Sequence, residues 1–195
     1  MLSVLAVLAA MTASAQTYQP ARVLSTAFLS RLAQHGLQPS QVAIINASVG
    51  SLIILDRTAS GPVVFVDGAG TRVWAQVGEQ FSESMAKAEP MHLKVERRSI
   101  EVASCPAMIE HVTGFLARLD AFDRRSSGAP PTPTAQEIIV DATAFLIITS
   151  RGDAVITIEP NGPLDPPLQQ AAGQLHSAVS RCAGSVIPEV QQHDF

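Results

Sequence analysis

The stretch QVAIINASVGSLIILDRTASGPVVFVDGAG, residues 41–70, decides the fold. Val42 to Ile45, Leu52 to Leu55 and Val63 to Val66 are short apolar runs rich in β-branched residues, separated by Gly, Pro, Asn and Asp. That is the composition of strands and turns. The gaps are too short for helical crossovers, and Asp67-Gly68-Ala69-Gly70 reads as a hairpin turn, so neighbouring strands should pair antiparallel. A strand with one face in water alternates apolar and polar residues, whereas these runs are apolar at nearly every position. Both faces of the sheet must therefore be covered. Barrel curvature, another chain or an apolar ligand would close whatever the chain's own helices leave open.

Working outward, Arg72 to Val77, Leu93 to Glu96 and Ile100 to Val102 extend the series of strands. Cys105-Pro106 opens a helix that runs to about Phe122, with Met108, Val112, Phe115, Leu116, Leu119 and Phe122 on one stripe. Residues 124–134, RRSSGAPPTPT, are a Pro-rich surface linker. Glu137 to Asp141, Ala144 to Thr149 and Ala154 to Glu159 are strands, the last two joined as a hairpin. Asp165 caps a further helix with Leu168, Ala172, Leu175, Val179 and Cys182 inward. Upstream, Pro20 to Gln34 is helical with Leu24, Phe28 and Leu32 aligned, and Gly36 and Pro39 end it. The expected fold is α+β: a mostly antiparallel curved sheet of about eight strands with three amphipathic helices. Residues 16–187 form one domain, and 188–195 are a flexible C-terminal tail.

Residues 1–15 carry no charged side chain, run apolar from Leu2 to Met11 and close on Ala13-Ser14-Ala15. This is the pattern of a cleaved signal peptide, and its apolar run of about ten residues is too short for a membrane span. Export places Cys105 and Cys182, the two cysteines of the chain, in an oxidising compartment where they should form a disulfide. That bridge would join the start of one helix to the end of another. The cationic residues are eleven Arg and two Lys, which points to a GC-rich bacterial coding sequence and a periplasmic or secreted protein.

Of the 195 residues 47% are apolar and only 15% charged, which excludes extensive disorder. A net charge of −4 removes the phosphate attraction on which nucleic-acid binders depend. Two serines imitate nucleophile motifs. Ser48 lies in Asn46-Ala47-Ser48-Val49-Gly50, close to a nucleophile elbow but without its first Gly and followed by a strand instead of a helix. Ser84 and Lys87 reproduce S-x-x-K without the accompanying S-D-N or K-T-G. His35, His92, His111, His176 and His193 show no zinc spacing, so neither metal nor cofactor is expected. Arg151-Gly152-Asp153 reproduces an adhesion tripeptide on a hairpin tip, making Arg151 and Asp153 candidate contacts for a partner protein. These features describe a small exported, non-enzymatic protein that binds a partner protein or an apolar small molecule. A hydrolase whose Ser and His are brought together only by the fold is the alternative, and a homo-oligomeric envelope component a third.

Overall fold

The three apolar runs become β1 (Gln41–Asn46), β2 (Ser51–Asp56) and β3 (Val63–Gly68), paired antiparallel in sequence order. The computed structural model describes residues 20–59, 61–126, 145–151, 154–158 and 166–195. A helix over residues 20–36, α1, precedes β1. After β3 come α2 (Val73–Lys87), β4 (His92–Ile100), a single 3₁₀ turn at Val102–Ser104 and α3 (Pro106–Ser126). Then follow β5 (Phe145–Arg151), β6 (Ala154–Ile158), α4 (Pro166–Ala183) and β7 (Glu189–Asp194). The fold is α+β with an antiparallel sheet in the order β6-β5-β1-β2-β3-β4-β7.

The unbroken apolar runs are explained by helices on both sides. Val42, Ile44, Ile53, Leu55, Val63 and Phe65 face α3 and α4. Ala43, Ile45, Leu52, Ile54 and Val66 face α1 and α2. The helix stripes of α3 and α4 are buried as the sequence indicates, with Leu168, Ala172, Leu175 and Val179 of α4 inaccessible to solvent. On α1 the buried row is Ala21, Ser25, Phe28, Leu29 and Ala33, rotated slightly from the expected one, with Leu24 and Leu32 flanking it. A disulfide joins Cys105 to Cys182, Cα to Cα 6.2 Å, linking the start of α3 to the end of α4. Because the start of α3 is tied to the end of α4 and both helices pack their stripes on the same face of the sheet, the two helices run antiparallel.

Four expectations are corrected. The sheet has seven strands among the described residues, and these residues form four α-helices rather than three. Arg72 to Val77, read as a strand, begins α2, and Asp67-Gly68-Ala69-Gly70 is a strand-to-helix corner instead of a hairpin turn. Here β3 stops early, and side-chain amides of α2 replace it. Gln76 Oε1 accepts from Lys94 N–H at 2.8 Å while its Nε2 donates to Lys94 C=O at 2.8 Å. Gln80 does the same for His92, at 2.8 and 3.0 Å. The backbone of β4 is thus satisfied by a helix, and that helix covers part of the face for which the sequence calls for barrel curvature, a partner chain or a ligand. Third, Leu93 to Glu96 and Ile100 lie in one strand, since β4 runs unbroken to Ile100, while Val102 opens the 3₁₀ turn.

The fourth correction concerns the two segments expected to be loose. Residues 189–194, expected as a flexible tail, form β7 on the outer edge of β4. Phe195 exchanges backbone hydrogen bonds with Met91 at 2.8 and 2.9 Å, and its ring meets Phe28 of α1 edge-on at 5.5 Å. Residues 124–126, assigned to the linker, are the last residues of α3. The rest of that linker, the expected strand Glu137 to Asp141 and residues 1–15 lie outside the described residues.

Candidate functional site

The β1–β2 hairpin is closed by Asn46, whose side-chain Oδ1 accepts from the N–H groups of Ser48 at 3.1 Å and Val49 at 3.2 Å. Gly50, at φ +77°, completes the turn by donating to Asn46 C=O at 2.8 Å. Ser48 is therefore a turn residue between two antiparallel strands, without the strand-to-helix geometry that exposes an elbow nucleophile. Ser84, in the last turn of α2, donates its hydroxyl proton to Glu89 C=O at 2.5 Å. Lys87 turns to Glu83, Nζ to Oε1 2.5 Å, so the amine that an S-x-x-K mechanism needs beside the serine is engaged one turn away. Arg151 ends β5 opposite Ala154 of β6, as a hairpin requires; Asp153 lies outside the described residues.

The histidines are dispersed. His35 is exposed, and His92 Nδ1 lies 2.7 Å from Asp194 Oδ1 on the surface of the β4–β7 pair. Among the described residues no three His, Cys, Asp or Glu side chains are grouped to hold a metal ion.

Among the described residues the fold assembles one serine–histidine pair, and it uses neither Ser48 nor Ser84. Ser51, the first residue of β2, shares a hydrogen bond of 2.7 Å with His176 of α4, 125 residues away in sequence. Ser51 is 1% exposed, and the His176 ring lies near Phe65 and Phe145, with centroids 6.0 and 6.1 Å apart. Burial among these rings lowers the His176 pKa below its ordinary value, which keeps the imidazole neutral at pH 7. With its proton on Nδ1, Nε2 accepts from the serine hydroxyl, the first half of a base-activated nucleophile.

The neighbourhood is polar along one row of the sheet. Asn46 pairs with Ser51, and Asp67 pairs with Glu96. Continuing the Leu52–Val66 register by one step places Asp67 opposite Ser51 on the same face. The Asp67 carboxylate is nevertheless committed elsewhere: Arg98 Nη1 donates to its Oδ1 at 2.8 Å, and Arg98 also donates to Glu96. Desolvation raises the Asp67 pKa, more than Arg98 lowers it. Among the described residues no carboxylate orients His176 through Nδ1. The pair thus has a nucleophile–base hydrogen bond but neither an orienting acid nor an open approach to the serine oxygen. What the hydrogen bond does provide is a partner for the buried Ser51 hydroxyl and the half-buried His176 ring between β2 and α4.

A pH dependence follows. In the unfolded chain His176 protonates near pH 6.5, whereas the folded state resists that proton. The stability contributed by keeping it neutral is present above about pH 6.5 and is lost as pH falls toward the lower folded value, with a slope of at most about 1.4 kcal/mol per pH unit. Urea unfolding between pH 7.5 and 5.5 should show this slope in the wild type and a shallower one in His176→Gln. Equal slopes would remove His176 as its source.

The chain has no significant match to any protein-family model, any curated protein or any solved structure.

Proposed function

We propose that the chain is a small exported, non-enzymatic binding protein. The observation that carries this reading is the burial of Ser51. The fold brings together one nucleophile–base pair among its described residues and closes it off, so the groups best suited to chemistry serve packing instead. Export is supported by the signal-like residues 1–15 and by the Cys105–Cys182 disulfide, a bond that persists in oxidising compartments. Among the described residues no helix is long and apolar enough to cross a membrane. Because four helices of the chain cover the sheet, a partner must be met at the margins: at gaps between helices or at the edge of β7, near which Ile187 is 91% and Val190 61% exposed.

The hydrolase reading draws its support from the same 2.7 Å Ser51–His176 hydrogen bond and requires α4 to move away from β2. Light scattering and native mass spectrometry on protein recovered from the exported fraction test the binding reading. A retained small molecule, a retained partner chain or a defined oligomer is expected. A strictly monomeric, ligand-free protein that also rejects a hydrophobic dye would sink it.

A further inference from the structure

On the α1/α2 side of the sheet the cover is incomplete. Val73 and Val77 of α2 lie over one end, and α1 crosses to the other, where its last turn carries Gly36 instead of a side chain. A Cβ built on Gly36 would meet nothing within 4 Å. Beneath is a cleft of about 260 Å³ lined on its apolar side by Leu32, Leu52, Ile54, Val64 and Val66, of which Val64 and Leu32 are the more accessible, and on its polar side by Gln38, Gln41 and Gln191. Arg97 of β4 stands at its margin. Among the described residues the exposed Arg97 guanidinium makes no hydrogen bond or ion pair. Its cross-strand neighbour Glu189 holds Gln191 instead, Nε2 to Oε1 3.1 Å.

We propose that this cleft binds a short unbranched monocarboxylate, with the chain on the apolar floor and the carboxylate on the Arg97 guanidinium; the assignment deepens, and rests on, the reading of the chain as a binding protein. An apolar floor alone would select no class of ligand. The charge does so: a guanidinium without a partner presents a planar fork of donors that a carboxylate fills with two parallel hydrogen bonds. Size sets the length of the tail. A cavity of roughly 150 Å³ accepts benzene and drug-sized sites begin near roughly 300 Å³, so 260 Å³ corresponds to a chain of about six to ten carbons. Glu189 beside Arg97 opposes the anion, and its neutralisation strengthens binding.

Calorimetric titration of the full chain with sodium octanoate tests the assignment, with butanoate, hexanoate, 1-octanol and octylammonium as comparisons. Saturable binding of one octanoate is expected, with affinity rising about fourfold per methylene from butanoate. Arg97→Gln should weaken octanoate about tenfold or more and leave 1-octanol unchanged. Glu189→Gln should tighten octanoate. Gly36→Leu, whose side chain enters open space, should weaken both octyl ligands without lowering the melting temperature. No saturable heat at millimolar octanoate, no dependence on chain length, equal affinity in wild type and Arg97→Gln, or tighter binding of octylammonium would each overturn the carboxylate assignment. Turnover of an ester with labelling of Ser51 would instead overturn the non-catalytic reading, so the two failures are distinguishable.

Discussion

Replacing Cys105 by Ser in the full chain is expected to lower the unfolding free energy by about 4 to 5 kcal/mol. The bridge closes a loop with a sequence separation of 77 that contains α3, β5, β6 and most of α4. Without it the unfolded chain regains the conformational freedom of that whole loop, which is the origin of the magnitude. The folded state loses as well. Cys182 is buried and Cys105 packs against the same core, so the start of α3 and the end of α4 lose their common anchor. Since a typical domain is stable by only about 5–15 kcal/mol, the variant should be marginal at 37 °C. Urea unfolding of the oxidised wild type, the wild type under dithiothreitol and Cys105→Ser measures this directly. The last two should agree with each other and fall well below the first. Titratable thiols in the native exported protein, or a loss under about 1 kcal/mol, would contradict it.

Gly68→Ala is expected to cost about 3 kcal/mol or more. At the end of β3 the chain folds back so closely that a Cβ on residue 68 would lie 2.0 Å from Thr71 O and 2.7 Å from Val73 N. Both are backbone atoms, so no rotamer change relieves the overlap; the corner itself must open. Opening it displaces the start of α2, whose Val73, Gln76 and Val77 are buried and whose Gln76 binds the β4 backbone. Gly114, exposed inside α3 with nothing within 4 Å of a Cβ, is the internal control: Gly114→Ala should stabilise by about 0.5–1 kcal/mol. Equal thermal shifts for the two substitutions would show that the corner is not as tight as described.

That corner also marks where sequence patterning stops informing. The stripes of α3 and α4 were legible because Met108-Val112-Phe115-Leu119 and Leu168-Ala172-Leu175-Val179 repeat at helical spacing and bury against one apolar surface. The runs of β1, β2 and β3 were legible for the corresponding reason at strand spacing. α2 was not, because Val73-Trp74-Ala75-Gln76-Val77 is a short apolar run that fits either period, and its decisive contacts are amides of Gln76 and Gln80 on the backbone of residues 92 and 94. With α2 read as a strand, one whole face of the sheet has no cover; α2 covers part of it and leaves the cleft beside Gly36. β7, EVQQHD, has a single strongly apolar residue, as an edge strand should, and only its pairing with β4 and the seating of Phe195 identify it. The site was less legible still. Ser51 is the polar start of an otherwise apolar strand and His176 one polar residue on a helix, and nothing in their local sequence connects them. Ser48 and Ser84 stand out in the sequence because their neighbours imitate known motifs, whereas a hydrogen bond across 125 residues leaves no pattern. The Arg97 cleft depends on the absence of a side chain at Gly36 and is likewise a property of packing.

We infer that the Ser51–His176 hydrogen bond serves packing and not catalysis. Reaction of the native full chain with a fluorophosphonate probe, beside Ser51→Ala, Ser48→Ala and Ser84→Ala, tests it in one gel. A serine that works as a nucleophile is labelled within minutes through its activated oxygen, while a serine satisfied beneath a helix is not. The expected result is no labelling of the wild type or of any variant. Labelling of the wild type that vanishes in Ser51→Ala alone would contradict the account and make the pair a catalytic one.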